Sequence, residues 1–148
     1  MNVPSLQDVK QELQEISPKQ LFGLCLSLAK YKKDNKEYLG YLLFQAHDRE
    51  RFITEIKNEI DKHFSEIHST LSIINKYCKY MGDKAVTAEL LIYFCRKVKQ
   101  TNNIPIYKSA RLENLYNTQI KRIRSAITFL HEDIQADLLS ELNQGNRA

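Results

Sequence analysis

The sequence predicts an all-α fold of about seven helices, arranged as an irregular bundle or a short solenoid-like stack of the HEAT/armadillo kind and closed by a long C-terminal helix. Three observations carry this reading. The 148 residues include only four glycines and three prolines, and turn-rich β folds need those residues for positive φ and tight reversals. Apolar residues recur at spacings of three and four through most of the chain, which is the period of one helix face. Finally, the chain echoes itself. Lys30-Tyr31-Lys32-Lys33 leads into Glu37-Tyr38-Leu39-Gly40-Tyr41, and Lys76-Tyr77-Cys78-Lys79 leads into Glu89-Leu90-Leu91-Ile92-Tyr93. Both read K-Y-x-K followed by E-x-L-x-Y, with a longer gap in the second. Stacked helical units of this sort generally make surfaces rather than reaction centres.

The elements follow in order. Leu6, Val9, Leu13 and Ile16 predict a short helix over 5–15. Ser17-Pro18-Lys19-Gln20 places a hydroxyl at the N-cap, Pro at the first helical position and Gln three residues after the cap, so a second helix runs from 17 to 31. Asp34 is the expected N-cap of a third helix, 35–46, whose Leu39, Leu42, Leu43 and Ala46 cover most of its circumference and predict a central, buried element. Asp48 caps the next, with Phe52, Ile56, Ile60, Phe64 and Ile67 as its stripe. That stripe continues through Leu71, Ile74, Cys78 and Met81. Residues 48–81 are therefore either one helix or two with a kink at His68-Ser69-Thr70, and the echo favours two.

Gly82 suits the end of that segment, because it reaches positive φ without a Cβ clash. A helix over 84–101 follows, with Leu90, Leu91, Phe94, Cys95 and Val98 inward. Thr101-Asn102-Asn103-Ile104-Pro105 is the one clear loop. A final helix over 109–142 carries Leu112, Tyr116, Ile120, Ile123, Ile127, Leu130, Ile134 and Leu138 as a seam. At 1.5 Å per residue it would span about 50 Å. Its Ile120, Ile123, Ile127, Leu130 and Ile134 section is heptad-like, so it serves either as a strut across the bundle or as a partner or dimer seam. Residues 143–148 are expected to fray.

The length is that of a single domain, 1–148, with repeat units expected at 17–66 and 68–142. Gly23 and Gly40 fall inside helices, where they could mark close helix–helix approach. The longest uncharged runs, 20–29 and 38–47, are about half a membrane span, and no apolar leader begins the chain. A cytoplasmic location is expected, with Cys25, Cys78 and Cys95 as reduced, largely buried thiols.

Net charge is +4 and uneven. Residues 76–124 hold eleven basic residues against Asp83, Glu89 and Glu113. Lys76, Lys79, Arg96, Lys97, Lys99, Lys121, Arg122 and Arg124 are the candidate basic face, since Lys and Arg neutralise phosphates and nearby tyrosines can stack on unpaired bases. Lysines near helix C-termini also simply complement the macrodipole.

Catalytic signatures are not apparent. His47, His63, His68 and His131 show no H-E-x-x-H or H-x-x-x-H spacing. Glu59 and His63 stand four apart and read as a helix-supporting pair. No G-x-S-x-G or glycine-rich phosphate loop occurs. No catalytic residue, metal ligand or cofactor is assigned.

The stretch from Leu21-Phe22-Gly23-Leu24-Cys25-Leu26-Ser27-Leu28-Ala29-Lys30-Tyr31-Lys32-Lys33 through Leu42-Leu43-Phe44 resembles segments of uncharacterised bacterial all-helical proteins. The resemblance implies an all-helical fold, no activity and no site residues. The expected function is a non-enzymatic interaction module or scaffold that binds a protein partner along its stacked helix ends or its last helix, with homodimerisation through that helix as one form. The alternative is sequence-nonspecific nucleic-acid binding through 76–124.

Overall fold

A computed structural model describes residues 2–101, 106 and 109–144. Among them the fold is all-α, with eight helices and no strand. The helices are α1 (Leu6–Glu15), α2 (Pro18–Tyr31), α3 (Lys33–Phe44), α4 (Arg49–His63), α5 (Ile67–Met81), α6 (Lys84–Gln100), α7 (Ala110–Ile127) and α8 (Glu132–Gln144). They divide into two compact units, Met1–His47 and Asp48–Ala148. This division falls inside the expected repeat 17–66 and does not coincide with a boundary between 66 and 68. The expected loop beyond Thr101 and the end of the chain from 145 lie outside the described residues.

Local chemistry fixes most helix ends. Ser17 accepts from the Gln20 amide at 3.2 Å while the Gln20 side chain accepts from the Ser17 amide at 2.9 Å, so two orphan donors are satisfied reciprocally. Asp48 accepts from the Arg51 amide at 3.2 Å, and Asp83 from the Ala85 amide at 2.7 Å. Gly82 closes α5 in the left-handed region at φ 59°. Asp34 departs from expectation. It lies in the first turn of α3, whose N-cap is Lys32 and has no side-chain hydrogen bond; an acidic residue there still suits the helix dipole.

One break agrees with the two-helix reading of 48–81, and the other corrects the expected long last helix. Residues 64–66 separate α4 from α5, ahead of the expected kink at 68–70. The fully buried Thr70 donates its hydroxyl to the carbonyls of His63 (2.8 Å) and Glu66 (3.1 Å). The side chain thereby occupies acceptors at the turn and holds it closed. The second break, at 128–131, turns the expected 109–142 helix into α7 and α8 and raises the count from seven to eight. Here the Thr128 hydroxyl takes the Ser125 carbonyl at 2.6 Å, the acceptor that the next amide would use in a continuing helix. The Leu130 amide turns back to the Ile127 carbonyl at 3.0 Å, and the Gln135 side chain donates to the Leu130 carbonyl at 2.7 Å.

The break lets α8 return onto the second unit, where α6 is the hub. α6 packs against α4, α5, α7 and α8. It contributes Val86, Ala88, Leu90, Leu91 and Phe94 at 0% exposure, with Phe64 edge-on to Phe94 at 6.1 Å. The neighbours supply Ile56, Ile60, Ile74, Ile123, Leu138 and Leu142. Hence Ile123 and Ile127, expected in a partner seam, lie in the core of their own unit. Ile120 and Leu130 are half-buried, and only Ile134 is well exposed, at 43%.

The first unit is different in kind. Of its described residues only Tyr41 is buried. α3 is therefore not the buried central helix that its composition predicts: Leu42, Leu43 and Phe44 are all exposed. Gly23 and Gly40 correct a second expectation, because a Cβ built on either meets nothing within 4 Å.

Candidate interaction surface

α2 and α3 form a helical hairpin. The Asn35 side chain fastens its tip by donating to the Leu28 carbonyl at 2.8 Å. Tyr38 and Tyr41, one turn apart on α3, stack with ring centroids 6.4 Å apart. Between the helices runs a cleft of about 190 Å³, lined by Cys25, Leu28, Ala29, Asn35, Tyr38, Leu39 and Leu42. Asn35 is its one strongly polar wall.

The residues around this cleft are apolar and uncovered. At 100° per residue, Leu21, Phe22, Leu24, Leu26 and Leu28 spread over more than half the circumference of α2, leaving Gly23, Ser27 and Lys30 as a narrow polar stripe. A helix apolar over so wide an arc belongs in an interior, yet Phe22 is 66% exposed, Leu43 61% and Phe44 72%. With about 200 Å² taken for each large side chain, the exposed Leu, Phe and Tyr residues of α2 and α3 present on the order of 1,000 Å² of surface. That total is spread around both helices, yet even half of it on one face would stand at the upper end of the few hundred Å² found in contiguous patches on monomeric proteins.

The expected basic face is divided by its own helix. Lys97 reaches α4, where it pairs with Asp61, and lies over the Phe64 ring at 5.4 Å. Two residues on, about 200° around the helix, Lys99 lies over Tyr116 of α7 at 5.6 Å. Lys76 sits over Tyr77 at 4.7 Å. Arg122 donates to the Gln119 side chain at 2.8 Å. Lys79, Lys121 and Arg124 are exposed and Arg96 is half-buried. The eight residues thus do not turn together toward one ligand.

The charged side chains between α4 and its neighbours are tied to one another. Lys57 pairs with Glu89 at 2.6 Å. The Tyr77 hydroxyl donates to Glu59 at 2.7 Å, a contact in place of the expected Glu59–His63 pair. The Tyr93 hydroxyl donates to Asp61 at 2.8 Å. Burial works against the Asp61 charge, but hydrogen bonds from Lys97 and Tyr93 and the Lys97 charge hold its carboxyl below the ordinary carboxylate value. Tyr93 is pushed up to about 12 by burial and by the Asp61 carboxylate. These groups brace α4 against α5 and α6.

The thiols differ from one another. Cys95 is buried, and burial pushes it up to about 12 against the opposing charge of Lys99. Burial also raises Cys78, partly offset by Thr87 and Arg122. Cys25 and Cys78 are half-buried rather than fully enclosed. No group of three or more His, Cys, Asp and Glu residues suited to a metal occurs among the described residues, and no described helix is long and apolar enough to cross a membrane.

The signal for the α2–α3 surface was present in the two uncharged runs, 20–29 and 38–47, whose shortness argued only against a membrane span. No family model matches the chain, and neither does any curated protein or solved structure.

Proposed function

We propose that this chain is a non-enzymatic helical interaction module that docks a protein partner on the apolar α2–α3 surface. The observation that carries the reading is the mismatch within the first unit: three helices, one buried side chain, and on the order of 1,000 Å² of uncovered large apolar residues. Isolated helices shorter than about 12–15 residues are marginal in water. Below about 40 residues a segment usually needs metals, disulfides or oligomerisation to hold a core, and the first unit, Met1–His47, lies just above that size. The second unit, with its own core centred on α6, acts as the scaffold. In this reading the protein works in the cytoplasm, and the docking site sits on the hairpin rather than on the stacked helix ends or the last helix. Nucleic-acid binding retains the exposed Lys79, Lys121 and Arg124 but loses Lys97, which is engaged with Asp61.

The test is photo-cross-linking in cells, with a benzophenone amino acid at Phe22 or Phe44 and a control at Arg111, which is exposed on α7. Discrete protein adducts from Phe22 and Phe44, and none from Arg111, are expected. Absence of adducts from both hairpin positions overturns the reading.

A further inference from the structure

We infer that the occupant of the α2–α3 surface is a second copy of this chain, the two hairpins closing into an antiparallel four-helix bundle. This rests on the docking reading above and specifies its partner.

Three features support it. The exposed apolar area, on the order of 1,000 Å², matches the roughly 800 Å² per partner that a stable interface buries. The surface also has the elements of self-complementarity: each hairpin has an apolar cleft between its helices and, one turn before Cys25 on α2, the protruding Phe22 ring, so one copy offers both a knob and a hole to its mate. A two-fold dimer needs such a patch, because each side must fit itself.

Charge sets the orientation. The runs 20–29 and 38–47 contain no Asp, Glu, Lys or Arg, so two copies meet there without desolvating an ion. The hairpin tip, in contrast, gathers Lys30, Lys32, Lys33 and Lys36 against Asp34 and Glu37. Tip-to-tip pairing brings like charges together, whereas tip-to-base pairing separates them. Antiparallel packing of four such helices around a shared apolar seam is an established helix-bundle solution. The polar stripes, with Gly23, Ser27 and Lys30 on α2 and Lys33, Lys36 and Gly40 on α3, then face solvent.

The experiment is sedimentation velocity on the full chain from about 1 to 100 µM, because interfaces of this size range upward in affinity from micromolar. The expected result is passage from a 17.4 kDa monomer to a species of twice that mass. Leu24→Glu combined with Leu43→Glu is expected to hold the chain at monomer mass throughout, and Ile134→Asp on α8 to leave dimerisation unchanged. A wild-type chain that stays monomeric overturns the inference. So does a dimer that survives the double substitution or is lost with Ile134→Asp.

A second readout needs no variant. Cys25 lines the cleft, so its labelling by a thiol reagent is expected to slow severalfold as wild-type concentration rises, while Cys78 labelling does not. A Cys25 rate independent of concentration contradicts the pairing. Photo-adducts from Phe22 and Phe44 to a different protein, together with a monomeric wild type, overturn self-pairing alone. No adduct of any mass overturns the docking reading as well.

Discussion

Leu91→Ala is the perturbation that most sharply tests α6 as the hub of the second unit. Leu91 is 0% exposed on the helix that touches α4, α5, α7 and α8. Truncation removes buried methyl and methylene groups worth about 0.8 kcal/mol each, roughly 2 kcal/mol in all. The cavity that remains adds to this, because neighbours relax only in part, bringing the loss to about 3–4 kcal/mol. A domain of ordinary stability has about 5–15 kcal/mol in total, so the variant folds but with much of its margin gone. In a urea titration followed by helical circular dichroism, a slope of about 1–3 kcal/mol per molar turns that loss into a midpoint lower by roughly 1–4 M. Leu43→Ala, at a residue 61% exposed, is the matched control, with an expected change within about 0.5 kcal/mol for the second unit's transition. A Leu91→Ala midpoint equal to wild type, or equal losses for the two variants, would refute the placement of α6 at the centre.

Other predictions follow from single features. Gly82→Ala is expected to cost about 1–2 kcal/mol from backbone conformation alone, since φ is 59° and an added Cβ meets nothing; an unchanged urea midpoint contradicts that geometry. Gly40→Ala is expected to do the opposite and stabilise by up to about 1 kcal/mol, because its site is helical and open; a loss of helicity would reveal a hidden neighbour. Cys95 is held up to about 12 against an ordinary 9.0. The folded state therefore disfavours its thiolate, and the stability this contributes is fully present below pH 9 and is lost as pH rises toward 12. Cys95→Ala is expected to flatten the alkaline fall in the urea midpoint, and an unaltered pH profile contradicts the buried thiol. For nucleic acid, oligonucleotide titrations at about 50 and 200 mM salt are expected to show no salt-sensitive micromolar binding; such binding would restore the basic segment as a site.

What the sequence reveals is the chemistry of helix ends. Ser17 and Asp48 are caps because each offers an oxygen to an amide within three residues, and Gly82 ends a helix because it alone tolerates positive φ there. These are local properties, legible one residue at a time. The break at 128–131 is not, and the one at 64–66 was legible only roughly, a few residues late, because neither contains Gly or Pro. Each depends on a threonine hydroxyl taking a backbone carbonyl, and the same Thr70 and Thr128 could have sat on a continuous helix. Angular position also escapes a reading by clusters. Lys97 and Lys99 are near neighbours in the chain yet reach α4 and α7 respectively. The role of α3 was misread for a related reason. Leu39, Leu42 and Leu43 announce that the helix needs company, but periodicity cannot say whether the companion belongs to the same unit.

The most direct test of the self-pairing account is hydrogen exchange of the α2 and α3 amides at two concentrations of the full chain, about 1 and 100 µM. The account predicts protection at the higher concentration that falls on dilution, while the α6 amides stay protected at both. Exchange of α2 and α3 as fast as a free peptide at both concentrations, or protection there that dilution leaves intact, would contradict it.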